Sequence, residues 1–571
     1  MRMKGDSELG RSEFNRPVAT TRLHRFLLIT LLTVICLLAV VVELRPLKKI
    51  AAGYPCPIPR SNVLALAMDF KLTPAMRYTS GDGSLSFVSL PYAAAVKLMY
   101  FLVPHRLFCQ RLVSVASTVV AMFFLYRTAA LLFSPSVGII CVFVLITTPV
   151  YFDEMLLYGF IPFSSMVVSV TGYVLASSLK ANNYAKTILL SLLAYLTLSL
   201  YAPARLVSVW VVLLYGAYFK KYWRSLAVYV VLIGVLIVGS DLIFKDAGYD
   251  FVRANNLVCP ERTPFPKAGT NVQEIVREIG NRVRGNFHTA SYYLSLRYKP
   301  FYNWEDQEWN RSENIFNIVY FPFLVAGIAI CLVKFKKSNV YLLLWFSVFF
   351  LIIFVSSDRI LERRIINGLD AVALFIALGI WGAYSFARAR SLLIKHFHYF
   401  KMALGAALLL PGGYNVYNYV NSVSKPKYNY SRTQLRRFVE IICEKGMGVR
   451  SIRYNRMTEV LIWGNPYFDY DLVTRDIIDK LIDKLEVDNW DYPRQSPRPE
   501  KILEQMDYAR KEGGNILYIH SYHKAAPGIP EDDLWPAADI RYAGQSLADR
   551  VEIFQIPEMD EVYFMFVKNT D

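Results

Sequence analysis

Three stretches of this chain place ionisable side chains where an apolar run ends, which is where a protein can do proton or anion chemistry at the edge of a membrane. In Thr148-Pro-Val-Tyr-Phe-Asp153-Glu154, two adjacent carboxylates close such a run. A carboxylate whose pKa is raised at an interface can take a proton from a hydroxyl, so Asp153 is a candidate general base with Glu154 to orient it. The plain alternative is a solvated helix end. In Tyr201-Ala-Pro-Ala-Arg205 and Ser357-Asp-Arg-Ile-Leu-Glu-Arg-Arg364, arginines stand between apolar runs. A guanidinium offers a planar fork of donors that matches phosphate oxygens, and near a low-dielectric boundary that attraction is screened less than in water. Arg205, Arg359, Arg363 and Arg364 are therefore candidates for holding a lipid phosphate; pairing of the last three with Asp358, Glu362 or headgroups is the competing use. Upstream, Asp69 is a second candidate base. Asp82 and Tyr201 are candidates for lining a cavity or meeting an acceptor, although Asp82, between Gly81 and Gly83, suits a plain turn equally well.

The elements that must position these residues are membrane spans. The 571 residues are 54% hydrophobic and only 19% charged, with a mean hydropathy of +0.30, which excludes a wholly soluble protein. With 15% aromatic residues and seven scattered cysteines, neither disorder nor a small disulfide scaffold fits. A net charge of +17 need not mean nucleic acid, because in a membrane protein basic residues first mark cytoplasmic loops. Apolar runs predict eleven spans, at 26–42, 111–126, 136–152, 159–179, 187–200, 205–219, 225–244, 315–333, 339–356, 365–386 and 402–418. Basic clusters in alternate gaps, such as Lys220, Lys221 and Arg224, then Lys334, Lys336 and Lys337, put those gaps and the N-terminus in the cytoplasm. Counting 88–103 as a span would reverse every later loop, so that run is expected to be re-entrant or interfacial.

This arithmetic divides the chain into a cytoplasmic tail (1–25), a transmembrane domain (26–418) with outer loops at 43–110 and 245–312, and an extracytoplasmic α/β domain (419–571). In the last, 460–463 and 516–519 read as strands and 431–445 and 472–485 as helices. Cys36, Cys141 and Cys331 read as small core hydrophobes, while Cys56 and Cys259 share the outer loops and are free to pair or not. His396, His398, His520 and His523 show no zinc spacing; no cofactor is required, and the sequence leaves a divalent metal open.

The order of features resembles the GT-C class of membrane glycosyltransferases, and most of all the bacterial branch of protein O-mannosyltransferases and the aminoarabinose transferase of lipid A. The likeness runs through Arg111-Leu-Val-Ser-Val-Ala-Ser-Thr-Val-Val, Tyr126-Arg, Thr148-Pro-Val-Tyr-Phe, Leu198-Ser-Leu-Tyr-Ala-Pro-Ala-Arg-Leu206, Lys220-Lys-Tyr-Trp-Arg224, Leu342-Leu-Leu-Trp-Phe346 and Glu362-Arg-Arg-Ile-Ile-Asn-Gly368, over about residues 25–390. It implies a GT-C-like bundle of about eleven helices in a bacterial inner membrane. It also implies inverting transfer of a sugar from a polyprenyl-phosphate carrier to a protein, lipid or glycan acceptor at the outer face, with no role for nucleic acid. Such enzymes commonly carry an acid in an Arg-Asp-Glu run after the first span. Here that place reads Arg60-Ser61-Asn62, and neither Ser61 nor Asn62 accepts a proton at neutral pH. Either Asp69 or the Asp153-Glu154 pair has taken over the base's work, or the fold serves binding or assembly without transfer. A transporter of lipid-linked saccharide is a third class, for which polar groups deep in several spans are few.

Overall fold

The computed structural model describes residues 90–102, 106–148, 160–181, 183–198, 200, 202–244, 318–334, 336–355, 366–389, 397–423, 432–454, 480–481, 484–487, 507–521, 551–555 and 562–569, with residues 33, 273, 277 and 280 singly. Helix α1 (Leu90–Leu102) covers the run expected to be interfacial. The helices that follow lie on ten of the expected apolar runs: α2 (Arg106–Leu132), α3 (Pro135–Ile146), α4 (Phe160–Lys180), α5 (Tyr184–Leu198), α6 (Leu206–Ala217), α7 (Phe219–Phe244), α8 (Phe321–Val333), α9 (Lys337–Val355), α10 (Ile366–Ala389) and α11 (Phe397–Val423). The run at 26–42 lies outside the described residues. Among the described residues, four helices, α2, α4, α7 and α10, are long and apolar enough to cross a membrane. At 1.5 Å per residue the 24 residues of α10 reach about 36 Å, against a hydrocarbon core of about 30 Å.

Local chemistry explains where the helices break. Ser134 accepts a hydrogen bond from the Val137 amide and Pro135 follows at the first helical position, so α3 starts after a gap of two residues from the end of α2. Asn183 does the same work before α5, its side-chain oxygen accepting from the Ala185 amide at 2.8 Å. Faces then sort by solvent. On α7, Val230, Val231, Val235 and Val238 are all more than half exposed, an apolar surface that suits lipid and not water, whereas α10 buries every residue from Asn367 to Ile380 and forms the centre of the bundle.

No hydrophobic effect drives helices together inside hydrocarbon, so close approach has to come from shape. Where α8 crosses α10, a methyl group on Gly327 would overlap the Phe375 carbonyl, and one on Gly379 would overlap the Phe323 carbonyl. Backbone meets backbone at both points. Cys141 and Cys331 are buried among these helices, as small core residues would be.

Beyond the bundle, helix α12 (Arg432–Gly446) packs on a five-stranded sheet of β1 (Ser451–Tyr454), β2 (Leu485–Val487), β3 (Ile516–Ser521), β4 (Val551–Gln555) and β5 (Val562–Val567), in the order β2-β1-β3-β5-β4. Strand β1 runs parallel to both neighbours, with Ile452 opposite Leu485 and Leu517; β5 is antiparallel to β3 and β4. Phe438 of α12 meets Phe564 of β5 with ring centres 5.5 Å apart. The expected strand at 516–519 and helix at 431–445 are met by β3 and α12. The helix expected over 472–485 is corrected at its end: the spacing of Ile477, Leu481 and Leu485 reads as helical, but Leu485 and Val487 pair in register with Ile452 and Tyr454 as an edge strand. The strand expected at 460–463 lies outside the described residues.

Replacing Gly379 by Leu should force α8 off α10 and abolish recovery of monodisperse protein in detergent, while Gly216→Leu, where a methyl group meets nothing, should leave it intact. Equal recovery of both variants on size exclusion would show that the two helices do not make this close crossing.

Candidate functional site

Of the residues singled out in the sequence, Arg205 lies within the described structure. A 3-10 turn, Ala202–Arg205, joins α5 to α6; Pro203 has no amide hydrogen to continue α5, and its fixed φ suits a new helical start. Arg205 closes that turn in helical conformation (φ −60°, ψ −26°). Its side chain is only 5% exposed, with Ala204 and Val207 wholly buried on either side. A guanidinium buried to this degree keeps its charge, because it does not deprotonate in proteins. Asp69, Asp82, Asp153, Glu154, Tyr201, Arg359, Arg363 and Arg364 all lie outside the described residues.

Helix directions nonetheless locate the ends that flank them. Ser165 on α4 donates to the side-chain oxygen of Asn367 on α10 at 3.2 Å, and one turn further on Ser169 donates to Asp370 Oδ2 at 3.3 Å. Two rungs in the same order mean that α4 and α10 run parallel, so their N-termini, Phe160 and Ile366, stand at one end of the bundle. Arg127 of α2 reaches the Tyr173 hydroxyl at 3.4 Å near the C-terminal ends of α2 and α4, which makes α2 parallel to α4 and α3 antiparallel to it. The C-terminus of α3 therefore shares the end occupied by the N-terminus of α4. At the other end, Tyr215 donates to the Ser178 hydroxyl at 3.2 Å and Tyr222 to the Leu179 carbonyl at 2.8 Å, placing the α6–α7 turn beside the C-terminus of α4. The turn carrying Arg205 is thus at the end shared by the residues flanking 149–159 and 356–365.

An aromatic stack ties that turn to the rungs. Trp210 of α6 stacks on Trp345 of α9 (ring centres 4.8 Å apart, planes at 30°) and meets Tyr341 edge-on at 4.9 Å. The Trp345 indole donates to the Asn367 carbonyl at 3.1 Å, and the Tyr341 hydroxyl donates to the Gly172 carbonyl at 2.8 Å. These contacts fix α4, α6, α9 and α10 around one another. Asp370 is 3% exposed and accepts from Ser169, so it joins α4 to α10. Sequence reading stopped at Gly368 and missed it; the signal was a lone carboxylate two residues later inside an apolar run. Among the described residues, no three His, Cys, Asp or Glu side chains converge as metal ligands do.

No family model matches the chain, and no curated protein matches it. Solved structures share its fold. The oligosaccharyltransferase of Archaeoglobus fulgidus in its apo form aligns at a TM-score of 0.56 and 11% identity, over 88% of this chain and 70% of that one. The same protein with an inhibitory peptide and a dolichol-phosphate aligns at 0.54 and 11%, over 88% and 70%. ArnT from Cupriavidus metallidurans bound to undecaprenyl phosphate aligns at 0.53 and 9%, over 94% of this chain and 97% of that one. These are GT-C glycosyltransferases, and the resemblance read in the sequence is met at the level of the fold.

If Asp370 serves only to bridge α4 and α10, Asp370→Asn, which keeps an oxygen for Ser169, should unfold within about 1 kcal/mol of the parent, and Asp370→Leu should lose about 1–3 kcal/mol. Thermal unfolding in detergent reads both; an Asn variant as damaged as the Leu variant would assign the carboxyl another role.

Proposed function

We propose that the protein is a membrane glycosyltransferase that takes a sugar from a polyprenyl-phosphate carrier and passes it, with inversion, to an acceptor at the outer face. The observation that carries this reading is a buried guanidinium, Arg205, at the end of a bundle whose fold is shared with ArnT solved with undecaprenyl phosphate and with an archaeal oligosaccharyltransferase solved with a dolichol-phosphate. The flanks of the acidic segment 149–159 and the basic segment 356–365 lie at that same end. An acid and several cations drawn from separate loops onto one end of a bundle are what the reaction requires.

In this reading the chain crosses the membrane eleven times from a cytoplasmic N-terminus, in a bacterial inner membrane, and the sheet unit within 419–571 stands outside and helps present the acceptor. Arg205, Arg359, Arg363 and Arg364 hold the carrier phosphate. As the acceptor oxygen attacks the anomeric carbon, the bond to the phosphate oxygen breaks and the negative charge left on the phosphate is met by fixed cations, with no reorganisation needed at that moment. Asp153, oriented by Glu154, or else Asp69, takes the acceptor's proton; Asp82 and Tyr201 line the acceptor's approach. The cations stabilise the leaving group and the carboxylate activates the nucleophile, so the two act on opposite sides of the same carbon.

The substitution of Arg60-Ser61-Asn62 for an acidic run favours a second reading, a binding or assembly protein on this fold. Turnover of a lipid-linked sugar separates the two. Asp153→Asn, Glu154→Gln and Asp69→Asn are each measured at matched protein levels. Transfer predicts a loss of about 100-fold or more at one of the three, and unchanged turnover at all three removes the assigned base. No turnover in the parent protein, with the carrier still bound, establishes the binding reading.

A further inference from the structure

At the end of the bundle opposite Arg205, the turn between α4 and α5 and the first turn of α7 enclose a cleft of about 360 Å³, lined by Asn183, Tyr184, Lys221, Trp223, Arg224 and Ser225. Two of its six lining residues are cations and none is acidic. A third cation adjoins it: Lys337 at the start of α9 sits 5.5 Å from the Tyr218 ring, one turn before Lys221, and Lys221 acts on it by like charge. Gathering cations this closely is unfavourable in isolation, and an anion placed among them relieves it. The rings are placed to match, with the Arg224 guanidinium 5.3 Å from the centre of the Trp223 ring and Lys221 5.3 Å from that of Tyr222.

What lies along the bundle from this cleft decides which anion. Tyr184, Ile188 and Leu192, at successive i+4 positions of α5, are each about half exposed, and the neighbouring α7 shows Trp223, Val230, Val231, Val235 and Val238 to the same degree or more. The cleft is therefore the polar head of a continuous apolar wall. A soluble phosphate would use the head and leave the wall bare; a lipid uses both, with Trp223 and Tyr184 at headgroup depth, where amphipathic rings settle. We propose that this cleft binds the phosphate of an anionic membrane lipid whose chains lie along α5 and α7. The site is separate from the one assigned to the sugar carrier: α6 alone, twelve residues long, sets them about 18 Å apart.

The test is lipid retention by the full-length protein in detergent, read by native mass spectrometry during titration with phosphatidylglycerol and, separately, phosphatidylcholine. The parent should retain one phosphatidylglycerol with at least about tenfold preference. Lys221→Ala with Arg224→Ala should abolish that preference, while the charge-keeping pair Lys221→Arg with Arg224→Lys should preserve it. Equal retention of the two lipids by the parent overturns the proposal, as does undiminished preference in the alanine pair or its loss in the charge-keeping pair. Displacement of the lipid by millimolar inorganic phosphate assigns the cleft to a soluble anion and overturns it likewise.

Discussion

A polar group carried into a hydrocarbon-filled bundle has no water to fall back on, and this constraint arranges most of what the structure shows. Ser165, Ser169, Asn367 and Asp370 answer one another across α4 and α10, and the Tyr341 and Trp345 donors find backbone carbonyls on Gly172 and Asn367. The two rungs between α4 and α10 also state a direction, because the order of partners along two helices says whether they run parallel. The polar rungs thus do more than satisfy themselves. They set which helix ends come together, and so which loops share a side of the membrane.

The two ends of the bundle differ in the way they hold charge. At one, Arg205 is buried at the end of the 3-10 turn that joins α5 to α6. Such a cation is kept where attraction to an anion is least screened. At the other, Lys221, Arg224 and Lys337 are spread over aromatic rings at a cleft open to the surroundings. An enclosed guanidinium suits a phosphate that must be held in one geometry during bond cleavage, and an open cluster suits a headgroup held only for its charge. Between them the small residues of α8 and α10 let backbones touch, which gives the bundle the stiffness that fixed charges need.

Much of the bundle was legible in the sequence because the signal there is length: an apolar run bounded by basic residues has few other meanings. The turn before α6 was legible for a different reason, since proline and arginine between two apolar runs mark both a break and a charge. Asp370 was not, because its meaning lies in Ser169, 201 residues away in the chain, and no local pattern announces that partner. Nor was β2, three residues long and next to a helical spacing, whose strand character comes from pairing with β1 rather than from its own side chains. Local readings succeed where a residue's surroundings are its sequence neighbours, and fail where they are brought from elsewhere.

The most direct measurement is a structure of the full chain solved with undecaprenyl phosphate, by electron cryomicroscopy in a lipid nanodisc. The account predicts phosphate density within hydrogen-bonding distance, about 3 Å, of the Arg205 guanidinium, with carboxylate oxygens of Asp153, Glu154 or Asp69 facing the same cavity. A phosphate bound away from Arg205, with that guanidinium occupied wholly by protein groups, would contradict it.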